Sequence, residues 1–261
     1  MYPKKSLGQN FLNDKKILSK IVDVADIKPN DVILEIGPGT GNLTDEIIKK
    51  SPSAITVVEK DKKLSNLLKK KFGNKINVIN NDILKCYDHF KSDAPIKVFG
   101  NLPYNISTKI LISFIKIDNL RKFYKNFYFI FQKEVADRII ANENSNNYGR
   151  ISIFSSWKTS SCKILDISPN SFYPIPKVWS SLLTITPKPE YERNIKSKNL
   201  EHITNIFFNQ RRKMIKKPMK QLFKDYEQVA ENLNLDLNLR PQNLSKNKYF
   251  EICKTYERLI D

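Results

Sequence analysis

Histidine and cysteine are scarce. The 261 residues hold two histidines, His89 and His202, and three cysteines, Cys86, Cys162 and Cys253. Neither histidine lies near a pair of cysteines, so the ligand spacing of a zinc site is missing and no metal is expected. A histidine-based nucleophilic triad has equally little to draw on. The cysteines are odd in number and far apart, which argues against a disulfide framework and fits a reducing cytosol. Long apolar runs are missing too, and none approaches the roughly 20 residues needed to cross a bilayer. The lysines of "MYPKKSLGQNFL" are followed by no apolar segment of the kind a secretory signal carries. A cytoplasmic protein without a membrane span is expected.

What the chain has in excess is positive charge, a formal +18 at pH 7. The excess is distributed: +12 falls in residues 1–186 and +6 in residues 187–261, so it is no isolated tail. A surplus of this size favours a polyanionic partner, nucleic acid or an anionic membrane surface. The chain is also rich in Lys, Asn and Ile, so part of the lysine content serves only to solvate. With 40% hydrophobic and 28% charged residues, the composition suits a globular protein with a real core.

The first two-thirds alternates short β-branched or aromatic runs with amphipathic segments. The runs are "VILEIG" (32–37), "AITVVE" (54–59), "INVIN" (76–80), "IKVFGN" (96–101) and "FYFIFQ" (127–132). Most are too short for helices. Between them, "KDKKLSNLLKKKFG" puts Leu64, Leu67, Leu68 and Phe72 on one helical face, with Gly73 as a natural C-cap. Strand alternating with helix predicts an α/β fold with a parallel sheet covered on both faces. "CKILDI" (162–167) and "SLLTIT" (181–186) read as strands with no helix between them, suited to an antiparallel edge pair. A linker is expected near 187–194, where "TPKPEYERN" brings prolines and charges together. Beyond it the signals are helical, including "NLEHITNIFFNQRRKMI". "NENSNNYG" (142–149) reads as a polar loop.

"LEIGPGTGNLT" joins the first of these strands to a helix. Gly37, Gly39 and Gly41 allow a sharp turn and close approach of a ligand. The spacing is G-x-G-x-G, not the G-x-G-x-x-G of dinucleotide folds. Glu59, at the end of the next strand, is placed to accept hydrogen bonds from two ribose hydroxyls. Asp82, after the third strand, is placed to accept from an adenine amine. Capping of the following helices is the ordinary alternative for both carboxylates. The acidic strand tips suit an adenosine carrying a sulfonium better than a pyrophosphate, which points to S-adenosylmethionine.

The tip of the fourth strand carries "NLPY". Pro103 pins a corner and keeps Leu102 extended. Asn101 offers a side-chain carbonyl, Leu102 a backbone carbonyl, and Tyr104 a ring face. Two acceptors and a stacking face match an exocyclic amine on a flat base. Such an amine is a poor nucleophile until its lone pair leaves the ring's conjugation, and positioning can then carry the transfer without a strong base. A plain strand-to-turn corner is the alternative.

In order and spacing, "KKSLGQNFL", "LEIGPGTGNLT", "VVEKD", "NDIL", "FGNLPYNISTKIL", "QKEVADRI", "YGRISIF" and "FYPIPKVWSSL" resemble the KsgA-type small-subunit (16S) ribosomal RNA adenine N6,N6-dimethyltransferases. The likeness reaches "FNQRRKMIKK" in the helical part of the chain. It implies a Rossmann-like class I methyltransferase domain with a mostly parallel seven-stranded sheet over residues 1–187, including an N-terminal arm (1–14), and a small all-α RNA-binding domain over 188–261. It implies transfer of methyl groups from S-adenosylmethionine to two adjacent adenines near the 3′ end of the RNA, within a pre-30S particle, by a monomer. Matched residue by residue, Asn10 and Leu12 of the arm, Gly37 and Gly39, Glu59, Asp82 with Ile83, and Asn101 are expected to contact the cofactor. Asn101, Leu102, Pro103 and Tyr104 form the target-amine motif, and Phe172 is the aromatic expected to hold the base opposite Tyr104, with core packing as its alternative. Trp179 departs from the family, which often has aspartate there.

From His202 to Lys224 there is no acidic residue. Arg211, Arg212, Lys213, Lys216 and Lys217, followed by Lys220 and Lys224, crowd a stretch expected to be helical and to engage phosphates. A solvated helix face is the alternative. Three rival functions share these features: a large-subunit adenine methyltransferase of the macrolide-resistance type, a non-catalytic assembly or transcription factor on the same fold, and a DNA adenine methyltransferase. "GNLPYNIS" and "FNQRRK" favour the small-subunit type, and an intact glycine loop with Glu59 and "NLPY" argues against lost catalysis.

Overall fold

The β-branched runs do become strands, and the order in which they assemble creates the site. A computed structural model describes residues 8–90 and 92–260. The first seven residues, which include the start of "KKSLGQNFL" and of the expected arm, lie outside that range. The strands are β1 (Phe11–Leu12), β2 (Val32–Ile36), β3 (Ala54–Val58), β4 (Asn77–Ile79), β5 (Ile96–Asn101), β6 (Tyr124–Gln132), β7 (Thr159–Ile167), β8 (Phe172–Tyr173) and β9 (Ser180–Pro187). The helices are α1 (Lys15–Ala25), α2 (Asn42–Ile48), α3 (Lys62–Phe72), α4 (Ser107–Ile115), α5 (Leu120–Phe123), α6 (Lys133–Ile140), α7 (Arg150–Lys158), α8 (Ser197–Phe208), α9 (Lys216–Leu222), α10 (Tyr226–Asn232) and α11 (Lys246–Ile260).

Seven strands form one sheet in the order β4-β3-β2-β5-β6-β9-β7. β2 pairs in parallel with both β3 and β5, β3 with β4, and β5 with β6, while β9 runs antiparallel to β6. The sheet is the Rossmann-like α/β architecture with an antiparallel edge. The order reverses beside β2, because the chain winds outward through β3 and β4 and then returns to β5 on the other flank. Ligands of open α/β sheets bind at such a reversal, beyond the carboxyl ends of the strands. β2 and β5 are buried almost throughout, as central parallel strands should be. The edge strand β7 alternates in part with solvent.

Lys97 is the exception inside β5. Its Nζ donates to Asp31 at 2.6 Å and to the carbonyls of Ala25 and Asp26 at 2.8 and 2.9 Å. Both side chains are almost fully buried. Every ammonium proton thus has an acceptor; removing one partner of such a pair costs about 3–5 kcal/mol. In α3, Asp61 caps the first turn, Leu64, Leu68 and Phe72 are buried, and Gly73 ends the helix at a φ of 55°. Leu67 lies at the margin of that buried face. β1 and β8 form a separate short ribbon, with Leu12 opposite Phe172. Neither strand has enough residues to announce itself by periodicity.

The chain divides into two compact units. The first takes the residues up to 136 together with 160–187. The second takes 137–159 together with 188–261. Residues 137–159, grouped with the first domain by sequence, therefore pack in the second unit. α7 joins α8 and α11 there, with Phe154, Trp157, Leu200, Phe207, Tyr249 and Cys253 all buried. The helix expected to run through "NLEHITNIFFNQRRKMI" (199–215) stops at Phe208. Ile215 is fully buried, and its N–H bonds to the Leu239 carbonyl while Lys216 N–H bonds to Leu237. These long-range bonds draw the backbone out of the helical path. Arg211, Arg212 and Lys213 consequently sit in a turn, not on a helix.

Candidate active site

A cavity of about 160 Å³ opens where β2, β3, β4 and β5 end. It lies within the first unit. Asn10 and Leu12 line it from the arm, Gly37 and Gly39 from the glycine loop, Glu59 from β3, Asp82 and Ile83 from the β4 exit, and Asn101 to Tyr104 from the β5 exit. Every expected cofactor residue and the whole "NLPY" corner thus face one space.

The glycine loop is shaped by its backbone and by its neighbours. Gly37 and Gly39 hold φ angles of 65° and 60°, in the left-handed region that side chains disfavour. A Cβ on Gly39 would also lie 2.7 Å from the ring of Phe11. The arm therefore lies directly over the loop. Asn42 fixes this approach by donating to the Leu12 carbonyl at 2.9 Å and to Asn13 Oδ1 at 2.7 Å.

Three carboxylates serve the cavity in different ways. Glu59 accepts from Gly39 N–H at 3.2 Å and from Asp61 N–H at 2.8 Å, one oxygen each. A carboxylate has about four lone-pair sites, so both oxygens can still accept. Burial pushes the Glu59 pKa up, and the backbone N–H bonds oppose it. Glu35 is fully enclosed and takes a 2.6 Å hydrogen bond from Thr44 Oγ1. Burial raises its pKa to about 7. Asp82 is partly exposed. Burial works to raise its pKa, but a 2.9 Å ion pair with Lys60 and a bond from Leu84 N–H outweigh it and hold the group below its ordinary value. Asp82 therefore does cap the short turn at Ile83–Lys85, as a carboxylate after a strand commonly does.

At the corner, Asn101 Nδ2 donates to the Asn10 carbonyl at 2.6 Å. The amide's nitrogen is committed to the arm, which leaves its oxygen as the acceptor. Leu102 is buried, and Gly100 makes room for it, since a Cβ there would meet Leu102 Cδ2 at 2.6 Å. The Tyr104 hydroxyl and Ser180 Oγ share a 2.6 Å hydrogen bond, and Ser107 Oγ donates to the Tyr104 carbonyl at 3.2 Å. Burial raises the Tyr104 pKa, so the phenol stays neutral. Gly8 sits against Asn105 and Pro103, closing the arm over the corner.

Phe172 is not brought to the cavity. It is 3% exposed and belongs to the hydrophobic core with Leu12, Leu18 and Leu182. Arg211 is also more engaged than its sequence context suggests. Its guanidinium donates to the carbonyls of Ser145 and Asn146, tying down the polar loop at 142–149. Arg212, Lys213, Lys216 and Lys217 are exposed. Sequence reasoning missed Asn42, Gly100 and Ser180, each of which supports a site residue. Asn42 ends the "GTGN" run and could have been included; nothing around Ser180 marks it as Tyr104's partner. Among the described residues no group of His, Cys, Asp and Glu is arranged to hold a metal, and no helix is long and apolar enough to cross a membrane.

A family profile described as "Ribosomal RNA adenine dimethylase" matches residues 2–258. The chain belongs to the ribosomal RNA adenine dimethylase family. It is 55% identical to the "Ribosomal RNA small subunit methyltransferase A" of Pelagibacter ubique over 98% of this chain and 97% of that protein. Among solved structures, a dimethyladenosine transferase from Plasmodium falciparum superposes with a TM-score of 0.77 at 25% identity, covering 95% of this chain and 98% of that one. The 23S rRNA methyltransferase ErmE gives a TM-score of 0.68 at 20% identity over 96% of this chain and all of its own, a likeness of fold. The fold is thus shared with a 23S rRNA methyltransferase, and the higher sequence identity is with the small-subunit methyltransferase A relative.

Proposed function

We propose that this adenine dimethylase uses S-adenosylmethionine to dimethylate N6 of two adjacent adenines near the 3′ end of small-subunit ribosomal RNA. The observation that carries the reading is the shared cavity: the glycine loop, Glu59, Asp82 and the "NLPY" corner all line it. The residues fit the cofactor. Glu59 keeps accepting capacity for ribose hydroxyls, Asp82 with Ile83 suits an adenine edge, and Asn10 and Leu12 close the site from the arm. S-adenosylmethionine supplies an electrophilic methyl carbon whose bond to sulfur breaks as the target nitrogen bonds to it.

The protein's own work is positioning. In the first transfer Asn101 Oδ1 and the Leu102 carbonyl accept the two amine protons and draw them out of the base plane, which returns the lone pair to nitrogen; in the second transfer one N–H remains and one of the two acceptors holds it. Tyr104, held by Ser180, offers its ring to the base. Pro103 keeps the corner rigid. The surplus proton on the methylated nitrogen is acidic and leaves to solvent, so no histidine is needed. Phe172 supports the base only if its ring leaves the core in which it is buried. Arg212, Lys213, Lys216 and Lys217, with Arg211 partly engaged, supply phosphate contacts. The protein acts as a monomer in the cytoplasm on a pre-30S particle.

The test is transfer of labelled methyl groups to undermethylated small subunits, with large subunits in parallel, followed by mapping of the modified bases. Paired N6,N6-dimethyladenines in small-subunit RNA are expected. Label on large-subunit RNA alone would assign the macrolide-resistance type of activity, and no label on either would favour a non-catalytic factor.

A further inference from the structure

Four of the large apolar side chains left exposed lie in one segment, Tyr173 at the end of β8 and Ile175, Val178 and Trp179 in the loop from β8 to β9, at 52%, 64%, 43% and 51%. An isolated exposed apolar residue is ordinary, but a contiguous group on a loop is not. The loop contains one charge, the exposed Lys177, and no acidic residue. Both of its ends are tied to the cavity. Phe172 pairs with Leu12, which lines it, and Ser180 Oγ bonds the hydroxyl of Tyr104, which also lines it. Trp179 is thus one residue away from the group that holds the target-facing tyrosine.

The geometry points to Trp179 as a stacking platform for an unpaired nucleotide neighbouring the target adenine; this rests on the RNA methyltransferase reading above. An indole face accepts any base, because every base has a π-face, and such contacts need no hydrogen-bond readout. RNA is favoured over an apolar protein partner by the neighbouring Lys177 and by the net charge of +18. A target base can reach the corner only from a strand whose neighbours are themselves unstacked, and those bases then lack stacking partners. Trp179 supplies one. It adds substrate affinity beside the reaction, leaving the methyl transfer itself to Asn101 and Leu102.

Substitution at 179 leaves the fold's own hydrogen bond in place, since it is the backbone carbonyl of Trp179 that accepts from Lys133 N–H at 2.8 Å. In methyl transfer to undermethylated small subunits, Trp179→Ala should raise KM about tenfold, equivalent to about 1.4 kcal/mol, while kcat falls less than about twofold. Trp179→Phe should restore most of the affinity, and Trp179→Asp should be weaker than Trp179→Ala. Fluorescence gives an independent readout, because the other tryptophan, Trp157, is 3% exposed. An adenine hexanucleotide should quench Trp179 and shield it from acrylamide. An unchanged KM in Trp179→Ala overturns the proposal even if the oligonucleotide quenches. A raised KM with no quenching also overturns it, and assigns the loop to a protein component of the particle. If the parental protein methylates no small subunits, the functional reading fails first, and the two failures are distinguished.

Discussion

The polar groups around the cavity and the basic stretch at 211–217 are held in opposite ways. Around the cavity, each functional group is fixed by another: Glu59 by the amides of Gly39 and Asp61, Asn101 by the Asn10 carbonyl, Tyr104 by Ser180. In the basic stretch, Arg212 and Lys213 of the turn and Lys217 at the start of α9 stand in solvent. Chemistry on one nitrogen needs a geometry set before the substrate arrives, because only pre-aligned groups favour the transition state without reorganising. Phosphate attraction is long-ranged and tolerates mobile side chains. Arg211 belongs to the turn by position but to the fixed class by its bonds to Ser145 and Asn146.

The strongest break of this contrast is Asn101→Ala. In the proposed mechanism its acceptor acts on the amine as the nitrogen becomes pyramidal, so the loss should fall on turnover. A single-turnover rate lower by about 100-fold or more is expected at saturating S-adenosylmethionine, the size found for a donor or acceptor aimed at a transition state. RNA affinity should change by less than about threefold. A parental rate would make the corner structural.

Glu35 tests how far the cavity's enclosure reaches. Its pKa is raised from 4.5 to about 7 by burial. Between those values the folded state holds a proton that the unfolded chain has released. The associated stability is therefore complete below about pH 4.5 and is lost as pH rises through about 7. A shift of that size corresponds to about 3 kcal/mol. Thermal denaturation should show the parental protein losing stability over this window and Glu35→Gln losing less; parallel curves would mean that Glu35 is solvated.

Glu59→Ala should weaken binding of S-adenosylmethionine by about 1.5–3 kcal/mol, the worth of hydrogen bonds to a charged group. Calorimetry showing unchanged affinity would confine Glu59 to bracing the glycine loop. In the basic turn the two kinds of residue should separate. Arg211→Ala should lower the stability of the protein by about 1 kcal/mol, because the carbonyls of Ser145 and Asn146 are left without its guanidinium. Charge reversal at Arg212 and Lys213 should leave stability unchanged and flatten the salt dependence of RNA binding by about 0.7–0.9 for each phosphate no longer neutralised. Equal effects of Arg211 and Arg212 on both readouts would erase the distinction.

The sheet was legible because its strands carry their own signal. Runs such as "VILEIG" and "IKVFGN" are β-branched and apolar over most of their length, and the intervening helices show their faces and caps. The cavity residues were legible because glycines and carboxylates recur together at successive strand exits, although such a carboxylate can also cap the turn that follows, as Asp82 does. Phe172 illustrates the opposite case. An aromatic after a polar loop reads equally well as a base-holding residue or as core, and only the pairing of β8 with β1 buries it. The basic stretch misled in another way: its composition supports a helix, and the bonds from Ile215 and Lys216 to residues more than twenty positions away end it.

By itself the sequence determined the alternation of strand and helix, the glycine loop, the acidic strand tips, the "NLPY" corner and the excess of positive charge, because each depends on residues close together in the chain. Only the tertiary structure decided that Asn101 is oriented by Asn10, that Tyr104 is held by Ser180, that residues 137–159 pack with the C-terminal helices, and that Lys97 is paired inside the sheet. Those outcomes turn on groups up to 104 residues apart. Local propensity carries no information across such a distance; burial does, because a polar group removed from water must find whichever partner the fold brings within reach.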